Sequence, residues 1–252
     1  MTSLAGLCID ISGVLIEEGK TVAGAREAME KLREAGLSCR FLTNTSRKPA
    51  SAVLDQLRDQ GFDVNEDEVM TAPQAVAAYL KEHDLRPWLL IHPDIRGEFS
   101  ALQTDDPNAV VVCDAGERFD YQNLDRAFSL LMEDAPLLAV GMNRYFRKEG
   151  GLHLDAGPFI RALEYAADVE ATIIGKPGRQ MFQAACDSME IDSAACLMIG
   201  DDVSADIGGA VDAGLKAALV RTGKYRAEDD REAERLGAGV FDDFASVVFH
   251  WL

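Results

Sequence analysis

The segment Leu4-Ala5-Gly6-Leu7-Cys8-Ile9-Asp10-Ile11-Ser12-Gly13-Val14 runs apolar for six residues, meets a carboxylate, and then a glycine. An apolar run of that length, closed by turn chemistry, reads as a buried strand (Leu4–Asp10) of a parallel sheet. Cys196-Leu197-Met198-Ile199-Gly200-Asp201-Asp202 has the same form far down the chain. Between and after them, short apolar strands alternate with helical patterns, which is the rhythm of βαβ units. Thr21 can cap a helix running to about Gly36, with Met29 and Leu32 on its apolar stripe. Strand 38–44 follows, then helix 49–60, closed by Gly61, and helix 71–83, with Pro73 tolerated in the first turn. Segments 88–92, 109–113 and 137–142 read as strands, with a helix near 121–133. Helix 158–167 precedes strand 171–175. The last quarter reads as helix 179–189, strand 196–200, helix 203–213, strand 217–220, helical pattern near 228–236 and a short apolar segment at 249–252. The fold class is therefore α/β.

Composition narrows the function. Of 252 residues, 43 are Asp or Glu and 25 are Lys or Arg, a formal charge of −18. Such a surface disfavours a nucleic-acid backbone as partner, since phosphate contact needs a basic stripe, and it repels anionic membrane surfaces. The first residues carry no basic leader, and no apolar stretch approaches the roughly 18 residues of a spanning helix. The expected setting is the cytoplasm. Cys8, Cys39, Cys113, Cys186 and Cys196 are odd in number, widely spread and mostly set in apolar runs, which suits buried thiols of a reducing compartment. His83, His92, His153 and His250 show no metal-ligand spacing, alone or with the cysteines, so no zinc site is expected.

In open α/β sheets, ligands lie beyond the carboxyl ends of the strands. Those ends carry Asp10-Ile11-Ser12-Gly13, Thr43-Asn44-Thr45-Ser46, Lys176-Pro177, and Asp201-Asp202 with Asp206 one helical turn further on. An acid, a hydroxyl, a cation and an acid cluster are what phosphoryl transfer through an aspartyl-phosphate needs. A carboxylate attacking phosphorus is an anion approaching an anion, so a divalent cation held by Asp10 and Asp201 would cancel the repulsion. Oxygen-only ligands suit Mg²⁺. Lys176 can neutralise phosphoryl charge. The Thr43 hydroxyl and the amides around Ser12, Gly13 and Asn44 can donate to the remaining oxygens.

Singly, each element has a plainer reading. Asp-x-x-Gly after a strand is commonly a turn, Lys-Pro a helix entry, and Asp201 or Asp202 an N-cap for the helix from Val203. Together, and in this order, the four segments resemble motifs I to IV of the haloacid dehalogenase (HAD) phosphatase superfamily. The resemblance implies a Rossmann-like core with a central parallel sheet. It implies Asp10 as nucleophile, with metal bound by Asp10, the Ser12 main-chain carbonyl and Asp201. Asp206, with Asp202, would support the metal's water shell, and Thr43, Asn44, Thr45 and Lys176 would contact phosphate. Thr43 follows Asp10 by only 33 positions, while 133 separate Thr43 from Lys176, which is room for an inserted domain. That spacing resembles the branch with a C2-type α/β cap: core at 1–79 and 174–252, cap at 80–173, with dimerisation through the cap plausible. Thr43-Asn44-Thr45-Ser46, Asp155-Ala156-Gly157-Pro158-Phe159 and Val220-Arg221-Thr222-Gly223-Lys224-Tyr225 are similar to the subgroup of phospholysine, phosphohistidine and inorganic pyrophosphate phosphatases.

One position departs from the family pattern. Most members carry a second Asp where this chain has Ser12, and that Asp protonates the leaving oxygen and later activates water. A serine hydroxyl is too weak an acid for this near neutrality. The expected substrates therefore have leaving groups that need little acid help: pyrophosphate, aryl phosphates and phosphoramidates. The competing expectation is a weakly active phosphate-binding or scaffold protein, although such a protein has no need of a nucleophile. C–halogen cleavage ranks lower, since it does not need the acid cluster. In the cap, Asp155 reads either as a substrate contact or as a cap for the helix after Pro158. Asn143, Arg144 and Arg147 read as a solvated loop or as cationic groups for substrate, and the Met142/Phe146 and Phe159/Leu163 pairs read as cap core.

Overall fold

The apolar run after Ala5 forms the fully buried strand Gly6–Asp10, and its lack of alternation has a simple cause. It pairs in parallel on both sides, with Ser38–Thr43 and with Cys196–Gly200, so neither edge nor face meets water. This computed structural model describes residues 4–148 and 151–252. Among them, six strands form one sheet in the order Gly239–Phe241, Lys216–Val220, Cys196–Gly200, Gly6–Asp10, Ser38–Thr43, Val69–Thr71. Phe41, Phe182, Phe244, Leu7, Ile9 and Leu32 are among its fully buried side chains. Helix Ala25–Glu34 buries Met29 and Leu32 as expected, Ala50–Asp59 buries Val53, Leu54 and Leu57, and Arg179–Ser188 buries Met181, Phe182, Ala185 and Cys186.

The chain divides into two compact units. One comprises residues 1–43, 51–70 and 179–252; the other comprises residues 44–50 and 71–178. The second unit has its own four-stranded parallel sheet, ordered Thr172–Ile173, Leu137–Ala139, Ala109–Val112, Pro87–Leu90. Its core of Leu90, Val110, Val112, Leu130, Leu137, Ile160 and Leu163 is closed by the helices Tyr121–Leu131 and Gly157–Ala167. Helix Ala72–Glu82 belongs to this unit and lies against the 3₁₀ segment Pro93–Phe99. The short segment 44–50 belongs to it through polar ties. Arg47 forms a two-pronged ion pair with the buried Asp114, with Nη2–Oδ1 at 2.9 Å, and its guanidinium lies 4.7 Å from the Phe146 ring centre. The Ala50 N–H donates to Glu98 Oε1 at 2.8 Å.

Several local readings change. Thr21 does not cap the first helix. The cap residue is Gly24, in the left-handed region at φ 74°, while Thr21 lies in a two-stranded turn (Ile16–Glu17 with Lys20–Thr21) and its hydroxyl donates to Gln60. The helix expected from Val203 begins as a π-turn, Val203–Gly208, before the α-helix Gly209–Asp212. Helix Phe244–Trp251 replaces the short apolar segment expected at 249–252. The antiparallel pair Tyr145–Lys148 and Gly151–Leu154 was not expected: its runs are four residues long, and the apolar face of Tyr145, Leu152 and Leu154 is exposed. Among the described residues no helix is long and apolar enough to cross a membrane.

Thr71 opens helix Ala72–Glu82 with a reciprocal cap, its hydroxyl accepting the Gln74 N–H while Gln74 Oε1 accepts the Thr71 N–H at 2.9 Å. Thr71→Val keeps the shape and removes the acceptor. It should lower stability by about 1 kcal/mol in urea unfolding, and an unchanged midpoint would contradict this account of the cap.

Candidate active site

Strand register brings the acids together. Ile9 is level with Ile199 and Asp10 with Leu42, so Asp10 ends its strand beside Gly200, Asp201 follows one residue beyond, and Thr43 follows on the other flank. Asp206 joins them by way of the π-turn. Its N–H donates to the Asp202 carbonyl at 2.9 Å, and its Oδ2 accepts the Asp202 N–H at 3.1 Å. Gly200 makes that return possible, because a Cβ there would lie 2.2 Å from Asp206 Cβ. Asp10, Asp201 and Asp206 are all buried, and each offers a carboxylate oxygen within 4.8 Å of the others.

Two unit charges at 4.8 Å repel by roughly 3 kcal/mol at an effective dielectric near 20. Three such carboxylates in a buried cluster therefore favour a cation among them. The donor set is oxygen only, the chemistry of hard divalent ions such as Mg²⁺. The residues present fit that group. Asp206, expected to act only through water, stands within the same ligand-forming set as Asp10 and Asp201.

The two adjacent aspartates divide their work. Asp202 is the N-cap: its Oδ1 accepts the N–H groups of Ser204 and Ala205 at 3.1 and 2.9 Å. Desolvation raises its pKa, but the Ala205 and Ser204 amides and the Lys224 ammonium outweigh it, and the carboxyl is held below its ordinary value. Asp201 is not a cap. Its Oδ2 accepts the Lys224 N–H at 2.7 Å.

That contact shows a part of the site which the sequence reading quoted but gave no role. Thr222, Gly223 and Lys224 fold over the first motif. The Thr222 hydroxyl donates to the Gly13 carbonyl, the Gly223 N–H to Glu17 Oε1 at 3.0 Å, and Lys224 Nζ reaches Asp202 Oδ2 at 3.2 Å. The Lys224 side chain is exposed, so its ion pair adds little, and its main-chain N–H is the fixed contact. Gly13 and Gly223 both have positive φ, 84° and 64°. A Cβ on either would fall about as far from Asp201 Oδ2 as a covalent contact, 2.0 and 1.9 Å. These glycines are where Asp201 and the two loops meet.

Two of the expected phosphate donors have other partners. The Gly13 N–H donates to the Ile16 carbonyl at 2.8 Å, because the chain turns there, so Gly13 contributes room and not an amide. The Asn44 side chain brackets the main chain of one residue in its own unit: its Nδ2 donates to the Lys176 carbonyl at 2.7 Å and its Oδ1 accepts the Lys176 N–H at 2.8 Å. Asn44 thus holds Lys176, whose side chain is buried. Thr43 is buried, Thr45 half-buried, and Ser12 is exposed in the turn after Asp10.

In the second unit, Asp155 lies one residue before the helix cap, Ala156, and its carboxylate accepts the Ala156 N–H at 2.7 Å. It does not cap the helix as one reading supposed. Burial, with the nearby Asp114 charge, raises its pKa against the Ala156, Asn143 and Arg47 contacts. Phe146 is the wall beneath Arg47, and Phe159 stacks on Phe119 at 3.9 Å. Asn143 and Arg144 are exposed, and the Arg147 side chain lies outside the described residues. Arg47 itself carried no sequence signal, since nothing in Ser46-Arg47-Lys48 marks its distant partner Asp114.

The chain resembles known proteins along nearly its full length. The family model described as haloacid dehalogenase-like hydrolase matches residues 7–104, and a second, HAD-hydrolase-like, matches 173–247. Human phospholysine phosphohistidine inorganic pyrophosphate phosphatase is 41% identical over 98% of this chain and 94% of its own. Human haloacid dehalogenase-like hydrolase domain-containing protein 2 is 43% identical over 99% and 96%. Among solved structures, p-nitrophenyl phosphatase from Archaeoglobus fulgidus superposes with a TM-score of 0.88 at 24% identity, covering 98% of this chain and 99% of that one. With these matches over an α/β fold whose parallel strands end in clustered aspartates, the chain belongs to the haloacid dehalogenase-like hydrolase family.

Proposed function

We propose that this protein is a Mg²⁺-dependent phosphohydrolase that works through an aspartyl-phosphate on Asp10. The observation that carries the reading is the buried trio Asp10, Asp201 and Asp206, set together at the ends of neighbouring parallel strands. Asp10, the Ser12 carbonyl and Asp201 would hold the ion, with Asp206 and Asp202 supporting it. When bound, Mg²⁺ supplies the positive charge that lets a carboxylate approach a phosphoryl group.

The chain's own residues do the rest. An Asp10 oxygen attacks phosphorus as the bond to the leaving group breaks, and water then cleaves the acyl phosphate and restores the carboxylate. The Thr222–Lys224 segment and Gly13 keep Asp201 in place during both steps. Thr43, Thr45 and the Asn44 main chain are assigned the phosphoryl oxygens, and Lys176, held by Asn44, their charge. Residues 80–173 are assigned the role of a C2-type cap on a core of residues 1–79 and 174–252. Ser12 cannot act as the acid, so the leaving group must depart with little help. Pyrophosphate, phosphoramidates and aryl phosphates meet that condition, and the human relative at 41% identity is named for phospholysine, phosphohistidine and pyrophosphate. The five free, buried thiols suit a reducing cytoplasm, and the acidic surface suits a small-molecule substrate over a nucleic acid or membrane.

Phosphate release with Mg²⁺ from pyrophosphate, a phosphoramidate, an aryl phosphate and a sugar phosphate tests the reading. Asp10→Asn should reduce turnover roughly 10³-fold or more while leaving the circular dichroism spectrum unchanged; retained activity would sink the mechanism. Ser12→Asp restores an acid, and turnover of alkyl phosphates should rise roughly tenfold or more. No gain on several such esters would show that the missing acid does not limit the rate.

A further inference from the structure

A second cluster of ligand atoms lies in the same unit, beneath the sheet and apart from the carboxylates. Cys8 is in the middle of strand Gly6–Asp10, Cys196 begins strand Cys196–Gly200, and Cys186 is in the last turn of helix Arg179–Ser188. Gly6 is the register partner of Cys196, so Cys8, two residues on, leaves the same face of the sheet. The three sulfurs lie within 4.8 Å of one another, Cys8 and Cys196 at 3.7 Å, and all three residues are 0–1% exposed. Gly6 leaves room for the cover, since a Cβ there would come within 2.6 Å of Ile191 Cδ1 and 3.3 Å of Met189 Sδ.

Three facts select the ligand. The donors are all sulfur, which suits a soft, thiophilic centre. There are three of them, and among the described residues no histidine or carboxylate joins, whereas structural zinc takes four ligands. One buried cation stands near: Arg40 is the register partner of Cys8, and its guanidinium donates to Ser188, two residues beyond Cys186. Three thiolates on Cu⁺ carry two negative charges, more than that one guanidinium offsets, and such a complex is penalised when buried. A trivalent arsenic centre with three thiolates carries no charge.

We propose that Cys8, Cys186 and Cys196 form a binding site for a trivalent arsenical, taken up as arsenous acid. As(OH)₃ condenses with the three thiols. Three As–O and three S–H bonds break, three As–S bonds form, and three waters leave, with no electron transferred and no net proton released. The two sulfurs of Cys8 and Cys196, 3.7 Å apart, are near enough for one small centre to bridge them. Arsenous acid is small and neutral.

The full chain, reduced and incubated with arsenite, should retain one arsenic per chain after desalting and show a higher thermal midpoint. Native mass spectrometry should show the mass of one arsenic less three hydrogens. Cys186→Ala and Cys8→Ala should lose the retained arsenic, while Cys39→Ala and Cys113→Ala, whose thiols lie outside the cluster, should keep it. No retained arsenic in the unaltered protein, a mass showing only one or two thiols lost, or retention undiminished in Cys186→Ala would overturn the proposal. So would displacement of arsenic by equimolar Cu⁺ or Zn²⁺. The mass readout needs no variant, so a substitution that fails to fold leaves the test intact.

Discussion

The parallel register of Gly6–Asp10 against Cys196–Gly200 is the constraint from which the rest of the site follows. Level strands that end in aspartates put like charges side by side where water is scarce. The surrounding chain is arranged around that repulsion. Asp202 satisfies the helix start, Asp201 takes a main-chain N–H from Lys224, and a π-turn with one extra residue per turn brings Asp206 back over Gly200. An ordinary α-helical start would direct Asp206 differently, which makes the π-turn the local cost of a third carboxylate.

The positions with the least side chain are as decisive as the acids. At Gly13, Gly200 and Gly223 the space a Cβ would fill is already taken by an aspartate. Close approach of two loops, one from each end of the chain, makes Asp201 nearly immovable. In the second unit the corresponding device is the amide of Asn44, which closes two hydrogen bonds on the Lys176 main chain across 132 residues of sequence. The first device holds the Asp201 carboxylate itself, while the second fixes the Lys176 backbone and leaves its side chain to the chemistry.

The βα rhythm, the central strands and the four chemistry-bearing strand ends were legible because burial on two faces leaves uninterrupted apolar runs, and these stop where polar turns begin. Asp10, Asp201 and Asp206 could be read from that pattern. What could not be read were contacts that depend on partners far away in sequence. The Gly13 amide is used by the turn to Ile16, and Gly24, in the left-handed region, takes the cap position in place of Thr21. Arg47 with Asp114, and the three convergent thiols, left no local trace at all. Cysteine spacing along the chain excluded a metal motif, yet register and one helix end gather Cys8, Cys186 and Cys196. The strand pair Tyr145–Lys148 and Gly151–Leu154 is short and buries no face of its own, so its few apolar residues carry little signal.

The central strand pair also orders events in time. Cys8 and Cys196 are neighbours across 188 residues of chain, so the middle of the larger sheet stays open until the last quarter has been synthesised. The intervening 71–178 block has its own sheet and core and can collapse earlier, which shortens the loop that must then be closed. Until that closure, Gly6–Asp10 exposes a mostly apolar strand with one vacant edge, the kind of segment that chaperones bind and that aggregates when unprotected. The strand that carries the first aspartate is thus made first and shielded last.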